Sequence, residues 1–181
     1  MYIGIPRGEV SPKAISSMNG ISIGPVTTRS QARALDRILW DVLWKPIGLP
    51  RDIRESLKLG GDPIELIASQ GSEVLGGIVA NRLSPDVLEL RHIALRPNFQ
   101  RQSIGARLVR ELVAIAERKG RAIIQTYARN TSAGFFSRLD FVPLSNETLE
   151  HPDFSRHGIT FQQMEYTKFT SSSSICTEIS K

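Results

Sequence analysis

The segment Gln100-Arg101-Gln102-Ser103-Ile104-Gly105-Ala106 joins an apolar run ending at Leu95 to a stretch whose apolar residues recur every three and four positions. Such a junction is a strand-to-helix turn, entered here through Pro97 and Asn98. The first four N–H groups of a helix lack intrahelical partners and carry the positive end of its dipole, so a phosphate or pyrophosphate finds donors already aimed at it. Gly105 has no side chain to block an anion's approach to the backbone, and Ser103 is nearly as small. Taken alone, the same turn fits an ordinary junction with a serine cap equally well. Two other phosphate motifs are excluded. There is no G-x-x-x-x-G-K-S/T, and the three glycines of a dinucleotide fingerprint are missing. Where the next strand ends, Ala128 and Arg129 stand in place of an acidic ribose-binding residue.

Two titratable side chains precede the turn on the same apolar run. Glu89 and His92 are the candidate general bases, and strict alternation along a strand sends them to opposite faces, so only one of them serves a given site. Glu89 is the first choice, with a surface ion pair to Arg91 on its own face as the competing role. His92 is expected beside Leu88, Leu90 and Ala94, where a satisfied, half-buried histidine is commoner than a catalytic one. His151 and His157 fall in an expected loop. Three scattered histidines and one cysteine, Cys176, make neither a metal site nor a disulfide framework. Trp40 and Trp44, one helical turn apart, either line a pocket or pack into the core. Arg107, Arg110, Arg118, Lys119 and Arg121 either attract phosphates or simply form the wet face of a helix.

The elements that must position these residues follow from periodicity and breakers. Ile21 to Ile23 alternates as a strand. Thr27 or Thr28 can cap a helix carrying Ala34, Leu35, Ile38, Leu39 and Val42, ended by Pro46, Gly48 and Pro50. A short helical piece is predicted over Asp52 to Leu59. Pro63 to Ser69, Val74 to Asn81 and Val87 to Leu95 form an antiparallel meander. Ile104, Leu108, Leu112, Ile115 and Ala116 share one helical stripe, with Gly120 placed to cap its end. Ala122 to Ala128 is a strand, Ser132 to Leu139 a short helix, and Ile159 to Thr167 the last strand. The strand–helix–strand order from Val87 to Ala128 predicts a parallel pair with a crossover helix grafted onto an antiparallel sheet.

Composition sets the outer limits. A chain of 181 residues with 40% hydrophobic and 23% charged residues suits one soluble globular domain. The net charge of +5 favours anionic partners, but without a basic tract or interleaved aromatics it does not point to nucleic acid. No apolar stretch is long enough for a bilayer, and residues 1–20 lack the apolar core of a secretory signal, so a cytoplasmic protein is expected.

The turn resembles the R/Q-x-x-G-x-G/A pattern of the GNAT superfamily of N-acetyltransferases, with Ser103 at the first glycine position. Leu90 to Pro97 is similar to that family's fourth strand and following turn. Ala128 to Phe141 is similar to its late helix, A-R-x-x-A-x-x-F-Y-x-K/R-x-G-F. Val42-Leu43-Trp44-Lys45 with Pro50, and Gly158 to Met164, resemble two signatures of the YjcF-like branch, V-F-x-x-E-Q-x-x-P and G-I-P-H-x-x-M. The resemblance implies a mixed α/β (α+β) domain at 21–168, a mostly antiparallel sheet with a βαβ crossover and flanking helices, between an extension at 1–20 and a flexible tail at 169–181. It further implies transfer of an acetyl group from acetyl-coenzyme A to a small-molecule or peptide amine by direct attack. Gln100, Arg101, Gln102, Ser103, Ile104, Gly105 and Ala106 would cradle the pyrophosphate, and Ile93, Ala94 and Leu95 would pair with the pantetheine arm. Phe136 stands where the family places the tyrosine that protonates the leaving thiolate. Pro46 and Ile47 replace the branch's Glu-Gln, and Phe161 its His. These departures sustain a second role, a non-catalytic acyl-coenzyme A binding or regulatory module. The oligomeric state stays open, a homodimer included.

Overall fold

The computed structural model describes residues 20–57, 60–120 and 123–168. The expected extension, apart from Gly20, and the expected tail lie outside the described residues, as do Lys58, Leu59, Arg121, Ala122 and Cys176.

Helix α1 (Arg29–Leu39) begins where the sequence offers a reciprocal cap. Thr28 Oγ1 accepts from the Gln31 N–H and Gln31 Oε1 accepts from the Thr28 N–H, both at 3.2 Å. Its three-and-four spacing buries Leu35, Ile38 and Leu39. The helix then widens into one π turn at Trp40–Trp44, tightens at Lys45–Ile47, and stops at Gly48, whose φ of 71° suits a residue without a Cβ. Helix α2 (Ile53–Ser56) is a single turn, shorter than predicted.

Seven strands form one sheet: β1 (Ile21–Pro25), β2 (Asp62–Gln70), β3 (Glu73–Arg82), β4 (Val87–Leu95), β5 (Ile123–Arg129), β6 (Phe141–Pro143) and β7 (Phe161–Tyr166), in the order β1-β2-β3-β4-β5-β7-β6. β1 to β4 make the predicted meander, and every neighbouring pair is antiparallel except β4 and β5. That parallel pair is connected by α3 (Ile104–Arg118), so the crossover inferred from element order is present. Gly120 closes α3 in a left-handed conformation, φ 63°. Helix α4 (Ala133–Ser137) follows β5, and α5 (Pro152–Ser155) precedes β7. β6 and α5 were not anticipated. The first is three residues long and contains a proline; the second is one turn, too short to show a period.

The sheet carries a core on each face. Leu108, Leu112 and Ala116 of α3 pack with Ile78, Leu88, Leu90, Ile124 and Ala128 on one side. Leu35, Ile38 and Leu39 of α1 pack with Val79, Ala94, Trp44 and Phe154 on the other. Gly77 makes the second contact feasible, since a Cβ there would lie 2.8 Å from Leu35 Cδ1 and 2.2 Å from the Leu66 carbonyl oxygen. The two parallel strands hold together only from Val87↔Ile123 to Leu90↔Thr126, and past that point no further pair forms between them among the described residues. Both strands continue, to Leu95 and Arg129, so a wedge opens in the middle of the sheet.

Candidate functional site

The turn at the mouth of the wedge is shaped by two left-handed residues. Arg101 has φ 59° and Ser103 φ 60°, ψ 4°. A left-handed residue followed by a helical one, as Ser103 is by Ile104, turns successive N–H groups into an anion-binding concavity. Among the described residues, none of the backbone N–H groups from Arg101 to Ala106 has a hydrogen-bond acceptor. The serine cap that competed with this reading is absent, because the Ser103 side chain makes no capping bond. Gln100 Nε2 donates to the Leu95 carbonyl at 2.9 Å and Gln102 Nε2 to that of Asn98 at 2.8 Å, tying the turn to the strand it leaves. A Cβ on Gly105 would make ordinary contacts with Phe135 at 3.5 Å and with Ile93 Cδ1 at 3.8 Å. Arg107 is spent elsewhere, donating to the Ile21 carbonyl at 3.1 Å.

Ile93, Ala94 and Leu95 lie beyond the last β4–β5 pair, with β3 on one side and the wedge on the other. Their side chains are largely enclosed, while among the described residues their strand edge toward β5 lacks a strand partner. An extended ligand arm could add to that edge as a strand would.

One sequence expectation is corrected here. Alternation predicts Glu89 and His92 on opposite faces of β4. The register runs Asn81↔Glu89 and Ala80↔Leu90, then jumps to Val79↔His92, so Arg91 is an extra residue in a β-bulge. Because Val79 and Asn81 share a face of β3, the bulge brings Glu89 and His92 onto one face. His92 therefore keeps company with Ala94 but not with Leu88 and Leu90, which pack in the opposite core.

Glu89 is only 2% exposed. Its Oε1 accepts from Arg91 Nη1, and its Oε2 accepts from Gln125 Nε2 at 3.2 Å, whose own Oε1 accepts from Gln163 Nε2 at 3.3 Å. The ion pair with Arg91 named in the sequence reading is thus present, but buried rather than at the surface. His92 is half-buried, edge-on to Trp44 with ring centroids 5.0 Å apart. Burial first, and then the charges of Arg91, Arg54 and Arg129, push its pKa down to about 3, so the imidazole is neutral at physiological pH.

Glu89 and His92 face a cleft of about 520 Å³, whose wall also includes Trp44, Tyr127, Arg129, Phe136 and Phe154. The two tryptophans part company. Trp44 is buried against His92, whereas Trp40 turns away to donate Nε1–H to the carbonyls of Leu49 and Pro50. Phe136 is 3% exposed and packs edge-on with Phe135 and Phe141, so it fills core where a tyrosine hydroxyl would need a partner. Arg129 Nη2 donates to the Leu43 carbonyl at 3.1 Å, its guanidinium lies 5.3 Å over the Phe154 ring, and burial lowers its pKa. His151 lines the cleft and accepts from the Asp153 N–H at 3.3 Å, capping α5. Tyr127, Arg129 and Phe154 were missed as site residues. The signal was available for two of them, since alternation on β5 puts Tyr127 and Arg129 on the face of Gln125, the register partner of Glu89. Among the described residues there is no cluster of three or more His, Cys, Asp or Glu able to hold a metal, and no helix long and apolar enough to cross a membrane.

Comparison with known proteins agrees with this geometry. A model of the acetyltransferase (GNAT) family matches residues 32–141. No curated protein matches in sequence. Among solved structures, an aminoglycoside 6'-N-acetyltransferase complexed with coenzyme A superposes with a TM-score of 0.66 at 14% identity, over 83% of this chain and 99% of that one. ElaA of Escherichia coli gives 0.67 at 14% identity, over 81% and 99%. The ribosomal-protein-S18-alanine N-acetyltransferase of Escherichia coli gives 0.63 at 17% identity, over 87% and 99%. At these identities the likeness is one of fold.

Proposed function

The chain belongs to the acetyltransferase (GNAT) family, and on that premise we propose that it transfers an acetyl group from acetyl-coenzyme A to the amine of a small acceptor. The observation that carries this reading is the run of six N–H groups, Arg101 to Ala106, without an acceptor among the described residues, at the mouth of a wedge that leads to Glu89. The turn is suited to a pyrophosphate, and the edge at Ile93 to Leu95, where only the Leu95 carbonyl is taken by Gln100 Nε2 among the described residues, to an amide-bearing arm running from it. When bound, the thioester supplies an activated acetyl group that a neutral amine attacks directly.

The chain's own residues then have two tasks. The attacking amine must lose a proton, and Glu89 is placed to take it, directly or through a water, because a carboxylate with one donor on each oxygen keeps further lone pairs. Gln125 acts as a positioning residue for that carboxylate. His92, neutral and weakly basic, shapes the cleft wall beside Trp44. No acid is needed for the leaving thiolate, whose pKa of roughly 8.5 to 10 lets it depart unprotonated. The flanking segments Val42 to Lys45 and Gly158 to Met164 support placement in the YjcF-like branch.

The four departures from the family pattern, Ser103, Pro46-Ile47, Phe136 and Phe161, together favour a second reading, a module that binds acyl-coenzyme A without turnover. Calorimetric titration of wild type and Gly105→Glu with acetyl-coenzyme A, followed by an amine panel, separates the readings. Saturable binding, lost in Gly105→Glu, with thiol release on adding amines is expected for the enzyme. Binding without thiol release would favour the module, and no binding by wild type would remove both.

A further inference from the structure

Three arginines surround His92, and two of them are neutralised within the protein. Arg91 pairs with Glu89, and Arg54 pairs with Glu65 and with Asp36 Oδ1 at 3.4 Å. Arg129 has no acidic partner among the described residues. One N–H reaches the Leu43 carbonyl, and the plane of the guanidinium rests on Phe154. A half-buried cation without a counter-ion is costly, and the cost is relieved when a ligand brings an anion. The planar fork of arginine fits a carboxylate in a bidentate manner.

We propose that the acceptor is a free α-amino acid with an apolar side chain, its carboxylate held by Arg129, its amine turned toward Glu89 and its side chain set among Leu43, Trp44 and Phe154. This deepens the acyltransferase reading and rests on it. Arg129 shares the β5 face with Gln125, the register partner of Glu89, and lies four residues further along the strand, roughly 13 Å. Both side chains line the same cleft, and a free amino acid offers an amine and a carboxylate on one carbon to two such groups, whereas the carboxylate of a peptide is remote from its terminal amine. Val42, Leu43, Trp44 and Phe154 form an apolar part of the wall, which elsewhere carries polar groups such as Thr126, Ser132 and Glu150. The burial, and after it the positive charges, that disfavour protonation of His92 also disfavour the ammonium form of a nearby amine, raising the fraction of neutral nucleophile.

The test compares kcat/KM for L-phenylalanine, L-phenylalaninamide and phenethylamine in wild type, Arg129→Gln and Arg129→Lys, with folding checked by circular dichroism. Expected is a wild-type preference for the carboxylate-bearing amine on the order of 10- to 100-fold that collapses in Arg129→Gln and returns in part in Arg129→Lys. Intrinsic nucleophilicity cancels only in the ratio of wild type to variant for each amine, so the wild-type preference is read on rates corrected for each amine's neutral fraction. Equal loss for all three amines in Arg129→Gln would make Arg129 a purely structural support for Leu43 and overturn the proposal, as would wild-type indifference to the carboxylate. A binding readout covers the case of undetectable turnover: N-acetyl-L-phenylalanine against its amide, titrated into the coenzyme A complex. Carboxylate-dependent binding lost in Arg129→Gln supports the proposal, and its absence in wild type overturns it. Failure of the acyltransferase reading is seen separately, as absent acetyl-coenzyme A binding.

Discussion

Glu89 and His92 face the same cleft although they lie three positions apart on one strand, because Arg91 is taken up as an extra residue opposite Val79 and Ala80. The bulge also sets Arg91 beside Glu89, where the two form a buried pair. A single backbone irregularity thereby assembles the candidate base, its counter-ion and the aromatic wall of His92 and Trp44. Bulges next to active sites commonly re-aim side chains in this manner.

The candidate base is the most direct target. Glu89→Gln keeps the shape and the Gln125 contact but removes the charge, and kcat/KM should fall about 100-fold or more. Arg91 then lacks its partner, so stability should drop by about 3 kcal/mol, and thermal melts must accompany the rates. His92→Gln should cost less than tenfold in rate. Full turnover by Glu89→Gln would remove Glu89 from the mechanism.

His92 makes stability depend on pH. Its folded pKa, about 3, lies below the unfolded value of 6.5, so the unfolded chain binds the proton more tightly. The stabilising contribution is complete above pH 6.5 and is lost as pH falls toward 3, at up to about 1.4 kcal/mol per pH unit. Between pH 6.5 and 5, before most carboxylates titrate, denaturant midpoints of wild type should decline more steeply than those of His92→Gln. Parallel curves would show that His92 titrates normally.

Ser103 occupies a left-handed conformation, φ 60°, that costs an L-residue roughly 1 kcal/mol. Ser103→Gly relieves this strain, partly offset by roughly 0.5 kcal/mol of added freedom in the unfolded chain. A small rise in Tm is expected, with acetyl-coenzyme A affinity equal or tighter, because the N–H groups of the turn are undisturbed. A marked loss of affinity would mean that the serine hydroxyl itself contacts the ligand.

Phe136→Tyr restores a hydroxyl at a position enclosed by Phe135 and Phe141. Since thiolate departure needs no strong acid, steady-state turnover should rise by less than about tenfold. A gain of 100-fold or more would identify proton delivery as the limiting step and Phe136 as the cause of a weakened enzyme.

Much of the architecture was legible in residue order. The cap at Thr27 or Thr28, the alternation of β2 to β4, and the stripe from Ile104 to Ala116 are local patterns, and each became the element it implies, with Thr28 as the cap. The turn at Gln100 to Ala106 was legible as well, because backbone donors at a helix start need no tertiary partner to exist. What escaped was of two kinds. β6 and α5 are too short to carry a period, and they form because Phe141 meets Tyr166 on β7 and Phe154 meets Phe161. The site chemistry escaped for a different reason. A bulge is a mismatch between two strands, so the face that Glu89 and His92 share is decided by the register of β3, and the isolation of Arg129 by the acids that Arg54 and Arg91 claim across the fold. Sequence periodicity sets which residues one element can present; only packing between elements decides which charges are neutralised and which are left for a ligand.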